Sequence, residues 1–205
     1  MTPSDAEEAA GMVRDAGNEA VVHQCDVSNP DTVASMVDTA VAELGPVNVL
    51  VNNAAMFLER DLEAITIDEL KRQVDVNLVG TLYCTKAVLP TMREVNRGRI
   101  VIVASTAGTH GSPTDPVYAA TKGGIISLTR SLAKQYTAEG ILSNAVAPGP
   151  TATPMQREER RPGLREDSPI DRLVGPAEVA ETVHFFVDTD TTSGRVLEID
   201  GGRII

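Results

Sequence analysis

The chain has 205 residues, a formal net charge of −11, 42% hydrophobic residues and 23% charged ones. That length suits one domain, residues 1–205, with a sizeable core. The acidic balance excludes a surface for duplex nucleic acid or anionic membrane, because both need a basic patch, and no apolar run approaches the roughly 20 residues that cross a bilayer.

In chain order, Asp5 to Asp15 reads as a helix; its acidic, Ala-rich start does not resemble a signal peptide, and a cytoplasmic protein is expected. Ala20 to Val27 reads as a strand. Pro30 to Leu44 is an amphipathic helix, capped by Ser28 or Asn29 and stopped by Gly45-Pro46. Val47 to Asn52 is a continuous apolar strand. Ile67 to Met92 reads as a helix with a bend marked by Gly80. Arg99 to Ala104 is the next buried strand, and Val117 to Glu139 a long helix. Ile141 to Ala147 is a strand closed by Pro148-Gly149. Thr151 to Gly175 is polar and reads as a mobile substrate loop with short helices. Pro176 to Asp188 is a helix and Arg195 to Ile199 the last strand.

Strands that are apolar on both faces, alternating with helices, imply a parallel sheet covered on each side. The expected fold is α/β, a Rossmann-like doubly wound parallel sheet. Ligands of such sheets bind beyond the carboxyl ends of the strands. Here those ends read Asp26-Val27, Asn52-Asn53-Ala54-Ala55, Ser105-Thr106-Ala107-Gly108 and Pro148-Gly149-Pro150-Thr151. All are small or polar, which lets a ligand approach the backbone. Cys25 and Cys84 read as buried reduced thiols rather than a disulfide or a metal pair. His23, His110 and His184 lack metal-ligand spacing, so no metal is expected.

Tyr118 and Lys122 stand i, i+4 on one helix face. A free phenol titrates near 10, and a neighbouring ammonium favours its ionised form, which suits acid–base catalysis. Ser105 ends a buried strand thirteen residues earlier, so its hydroxyl either holds a substrate oxygen beside the phenol or caps a turn. Asn77 sits mid-helix, where asparagine is disfavoured. It either holds a relay water or merely kinks the helix.

Taken together, Ser105, Tyr118-Ala-Ala-Thr-Lys122, Asn52-Asn-Ala-Ala55, Asn77 and Asn144-Ala-Val-Ala-Pro-Gly149 resemble the short-chain dehydrogenase/reductase family, in order and spacing, from about Ala6 to Gly202. Among its members the chain is most similar to 3-oxoacyl-[acyl-carrier-protein] reductases and related ketone or sugar-alcohol dehydrogenases. The resemblance implies hydride transfer between NAD or NADP and a small carbonyl or secondary alcohol. Tyr118 would be the acid/base. Lys122 would lower its pKa and bind the nicotinamide ribose. Ser105 would orient the substrate oxygen, and Asn77 would hold the relay water. Asp26 and Val27 would contact the adenine, and Asn53, Ala54 and Ala55 the adenosine; Ala55 replaces the family's usual Gly. Pro148, Gly149 and Thr151 would line the nicotinamide, with Thr153 closing over the pyrophosphate. A homotetramer, or a homodimer, is implied.

The family's opening strand, T-G-x-x-x-G-x-G turn, helix and second strand have no counterpart in these residues. The difference is roughly 35 residues, about one βαβ unit. The preferred explanation is a protein that starts upstream. Next is a genuine truncation with impaired cofactor binding, and with it a non-catalytic oligomerisation or regulatory role. Last is a sheet repaired by a partner chain.

Overall fold

The computed structural model describes residues 3–153 and 161–203. Four parallel strands form one sheet in chain order: β1 (Val49–Asn52), β2 (Gly98–Val103), β3 (Ile141–Pro148) and β4 (Val196–Ile199). Between and before them run α1 (Pro3–Asp15), α2 (Pro30–Leu44), α3 (Ile67–Val74), α4 (Gly80–Glu94), α5 (Ala107–His110), α6 (Pro116–Tyr136), α7 (Arg161–Glu166) and α8 (Pro176–Asp188).

The helix starts are written in side chains. Asn29 accepts the Asp31 amide at 2.9 Å, ahead of Pro30. Thr66 and Glu69 close a reciprocal capping box at α3. Asp115 accepts the Tyr118 amide at 2.9 Å, ahead of Pro116. Alternate residues of β2 face opposite ways. Ile100 and Ile102 pack with Val37 of α2, Val88 and Met92 of α4, and Ile125 and Leu132 of α6. Val101, with Val146 of β3, packs on the other face against Phe186, Val179 and Val183 of α8. Helices therefore cover both faces, as the apolar strands imply. Ile100 and Ile102 have no exposed surface; truncating either to Ala costs about 2–5 kcal/mol.

Three sequence expectations change. Ala20–Val27 is not a strand: among the described residues β1 pairs only with β2, and none hydrogen-bonds residues 20–26 into a ladder. An apolar β-prone segment becomes a strand only beside a partner. The segment instead ends against α2, where Thr32 Oγ1 donates to the Asp26 carbonyl at 2.6 Å. The departure in the 67–94 helix lies not at Gly80, which is regularly helical, but just before it, as a π-helical stretch over Asp75–Val79. Gly80 serves close approach: a Cβ there would lie 2.8 Å from Val27 Cγ2. Finally, Cys84 is buried but Cys25 is only half-buried; both are free thiols.

Within the expected loop Thr151–Gly175, α7 forms, and a parallel bridge joins Thr151 to Val174. Residues 154–160 of that loop lie outside the described residues. Among the described residues no helix is long and apolar enough to cross a membrane.

Candidate active site

The parallel register brings the carboxyl ends of β1, β2 and β3 side by side, with Asn52 level with Ile102 and Val103 level with Val146. Just beyond β2, the Thr106 amide donates to the Pro148 carbonyl at 3.0 Å, which holds Ser105 next to the β3 end. The turn of α5 then packs on α6. Gly108 makes this possible, since a Cβ would lie 2.6 Å from the Lys122 carbonyl carbon.

Tyr118 and Lys122 project from the first turns of α6 towards that junction. Lys122 is buried, and its Nζ donates to the Val103 carbonyl at 2.7 Å. The same Nζ lies 5.5 Å from the centre of the Tyr118 ring. Burial alone pushes the amine down to about 8. The phenol is also shifted, but upward: burial raises it, a hydrogen bond with Ser105 lowers it, and the Asp115 carboxylate raises it further. The expectation is of a phenol lowered by Lys122; here burial is the largest influence on it, and the Lys122 amine donates to a backbone carbonyl. A phenol so placed is protonated at neutral pH.

Asn77 lies in the π-helical stretch and has no exposed surface. Its Oδ1 accepts the Met56 amide at 2.7 Å, and its Nδ2 donates to the Met56 carbonyl at 2.9 Å and to Thr121 Oγ1 at 3.2 Å. The side chain is spent on positioning. Its main-chain carbonyl accepts Thr81 Oγ1 at 2.9 Å. Such π-stretches often mark functional positions.

Most of the remaining expected positions lie just beyond the ends of β1 and β3. Asn53 and Ala54 are exposed at the end of β1, and Ala55 is half-buried. Gly149 donates its amide to Ile199 at 3.0 Å, and Thr151 Oγ1 donates to the Gly149 carbonyl at 2.9 Å. Thr153 closes that turn with its amide on the Thr151 carbonyl. Asp26 and Val27 meet α3 and α4 instead of α6. Hydrogen bonds from Ser28, then from Arg72, hold the Asp26 carboxyl below its usual range. The Asn144 motif turns out to be architectural: Asn144 donates to Thr192 and accepts from Arg195, docking β4 on β3.

Sequence reasoning missed Asp115 and Phe57. Asp115 lies just before the helix expected from Val117, and its side chain receives donors from two distant segments. The Phe57 ring lies 5.1 Å from the Tyr118 ring, edge-on at 76°; its loop gives no periodicity from which to infer that.

The family model described as enoyl-(acyl carrier protein) reductase matches residues 2–203. A 3-oxoacyl-[acyl-carrier-protein] reductase of Synechocystis sp. is 33% identical over 192 residues, which cover 92% of this chain and 78% of that protein. The cis-4-hydroxycyclohexanecarboxylate dehydrogenase of Sinomonas cyclohexanicum is 37% identical over 204 residues, covering 96% and 82%. The solved structure of ElxO with NADP bound superimposes with a TM-score of 0.89 at 28% identity, covering 98% of this chain and 85% of that one.

Proposed function

The chain belongs to the short-chain dehydrogenase/reductase family of oxidoreductases, and from that premise we propose that it transfers hydride between NADP or NAD and a carbonyl or secondary alcohol, with Tyr118 as proton donor and acceptor. The observation that carries this reading is the meeting of Ser105, Tyr118 and Lys122 at the carboxyl ends of β2 and β3.

The residues present fit the nicotinamide-riboside end of such a cofactor. Parallel strand ends with small residues leave backbone accessible there, and a buried amine stands behind the phenol. Pro148, Gly149 and Thr151 would line that end, Thr153 would close over the pyrophosphate, and Asn53, Ala54, Ala55, Asp26 and Val27 would line the adenosine end. Bound there, the nicotinamide supplies or takes the hydride.

The chain's own residues handle position and the proton. Ser105 donates a hydrogen bond to the substrate oxygen. Tyr118 Oη gives that oxygen a proton as negative charge builds on it during reduction. The phenolate left behind is stabilised by Lys122, whose amine near 8 can hold a proton at neutral pH. Asn77 keeps the Met56 segment in place and offers its carbonyl to a water that refills the proton. Oxidation runs the same path backwards.

A cytoplasmic homotetramer belongs to the same proposal. Exposed Leu82 of α4 and Leu197 of β4, each at 42%, lie on elements that would be covered in it. The test is to titrate the purified chain with NADPH and NADH, following nicotinamide fluorescence, and then to add a ketone. Saturable binding and nucleotide oxidation are expected. No saturable binding would refute the proposal for this chain and favour a non-catalytic role.

A further inference from the structure

Asp115 does far more than cap a helix. Its side chain has no exposed surface, yet four donors converge on it. Oδ1 accepts the Tyr118 amide at 2.9 Å. Oδ2 accepts the Leu58 amide at 3.1 Å, the Glu59 amide at 3.2 Å and Gln73 Nε2 at 2.7 Å. An N-cap needs only the first of these. The other three tie the segment after β1, and α3, to the start of α6.

Gln73 is itself fully buried, and its Oε1 has no hydrogen-bond partner among the described residues. A buried amide with an orphaned oxygen is costly, and its compensation lies on the nitrogen side: Nε2 donates to Asp115 and reaches the Met56 carbonyl at 3.4 Å. Asn77 grips the same Met56 through both its amide and its carbonyl. The segment is therefore held at two points, Met56 by Asn77 and Leu58–Glu59 by Asp115. Glu59 is held at φ +55, a conformation unusual for a non-glycine residue that its surroundings must maintain. Between the two points stands Phe57, half-buried and edge-on to the Tyr118 ring.

We propose that Asp115 and Asn77 form a two-point clamp on the segment Met56–Glu59, and that Phe57, fixed between them, is a wall of the substrate pocket that selects among carbonyl substrates. The proposal rests on the oxidoreductase reading for its substrate and on the hydrogen bonds for the clamp. Asp115 is a positioning residue, acting through Phe57 and the α6 start. Only a carboxylate can serve all four donors. An asparagine has one accepting oxygen, so its amide nitrogen must face either the Tyr118 amide or the Leu58, Glu59 and Gln73 donors. One side of the clamp is lost whichever way it turns.

The experiment combines amide hydrogen exchange with steady-state kinetics on the full chain. The amides of Leu58 and Glu59 are protected in wild type and Phe57→Ala, and exchange fast in Asp115→Asn. With NADPH, two probes are compared: the acyclic thioester acetoacetyl-N-acetylcysteamine and the ring ketone 4-oxocyclohexanecarboxylate. Phe57→Ala raises the ring-to-acyclic ratio of kcat/KM by about tenfold, carried mainly in KM, with NADPH affinity unchanged. Asp115→Asn moves the ratio the same way, and the double variant moves it no further than the larger single effect. If Asp115→Asn does not fold, Gln73→Leu, which leaves the α6 cap in place, decides by the same ratio. Protected Leu58 and Glu59 amides in Asp115→Asn, or an unmoved ratio in Phe57→Ala, would overturn the proposal. A wild-type chain that reduces neither probe counts against the oxidoreductase reading, and amide exchange then decides the clamp alone.

Discussion

Lys122 is the residue whose physics is most exposed to measurement. Its ordinary value is 10.5 and burial brings it to about 8. Between those values the unfolded chain holds a proton that the folded chain has released, so stability rises with pH across that window. Below about pH 8 both states are charged, and the folded state bears the whole cost of burying the ammonium. At about 1.4 kcal/mol per unit the difference is about 3 kcal/mol. Urea unfolding at pH 7 and pH 10 should show wild type gaining about 2–3 kcal/mol relative to Lys122→Met, which has no such titration. Parallel pH profiles for the two proteins would mean that the amine is not buried as described. The cysteines offer a second check. Burial pushes the Cys84 thiol up to about 11, the nearby Cys25 adding to the shift. A thiol reagent at pH 8 should modify half-buried Cys25 in the folded protein and leave Cys84 intact until unfolding, because only the thiolate reacts.

At the scale of elements, the informative place is where α3 gives way to α4. Asparagine in mid-helix signalled an irregularity at position 77, and the π-helical stretch over Asp75–Val79 is its form. The glycine three residues on suggested a bend in the wrong place. Its lack of a side chain answers to Val27, a neighbour 53 positions earlier in the chain, and no local pattern encodes that. Gly80→Ala should therefore act as an overpacking change. It meets Val27 Cβ at 3.1 Å as well as Cγ2 at 2.8 Å, and should cost about 1–3 kcal/mol in urea unfolding. It should also weaken NADPH binding, since it displaces the Asp26–Val27 turn. An alanine that left both unchanged would show that α4 does not press on that turn. The start of α2 was more legible, because Asn29-Pro30 carries its signal locally.

For the molecule as a whole, periodicity and apolar runs sufficed for the layered α/β architecture, the four strands from β1 to β4 and the helices on both faces. They misjudged Ala20–Val27, since pairing depends on a neighbouring strand and not on composition. The site was legible in part for the same reason. Ser105, Tyr118, Lys122 and Asn77 announce themselves by spacing around strand ends and helix turns. Asp115, Gln73 and Phe57 act through contacts across 42 to 61 positions, and those arise only once the parallel sheet has brought β1, α3 and α6 together. Family membership, the meeting of three strand ends and the pairing of a protonated phenol with a buried amine all bear on one claim, that Tyr118 delivers the proton that accompanies hydride. The direct measurement is the rate of NADPH oxidation by a ketone in wild type and Tyr118→Phe, with NADPH affinity determined for both. The expected rate is lower by about 10²–10⁴-fold in the variant, with nucleotide affinity nearly unchanged. Equal rates in the two proteins would contradict it.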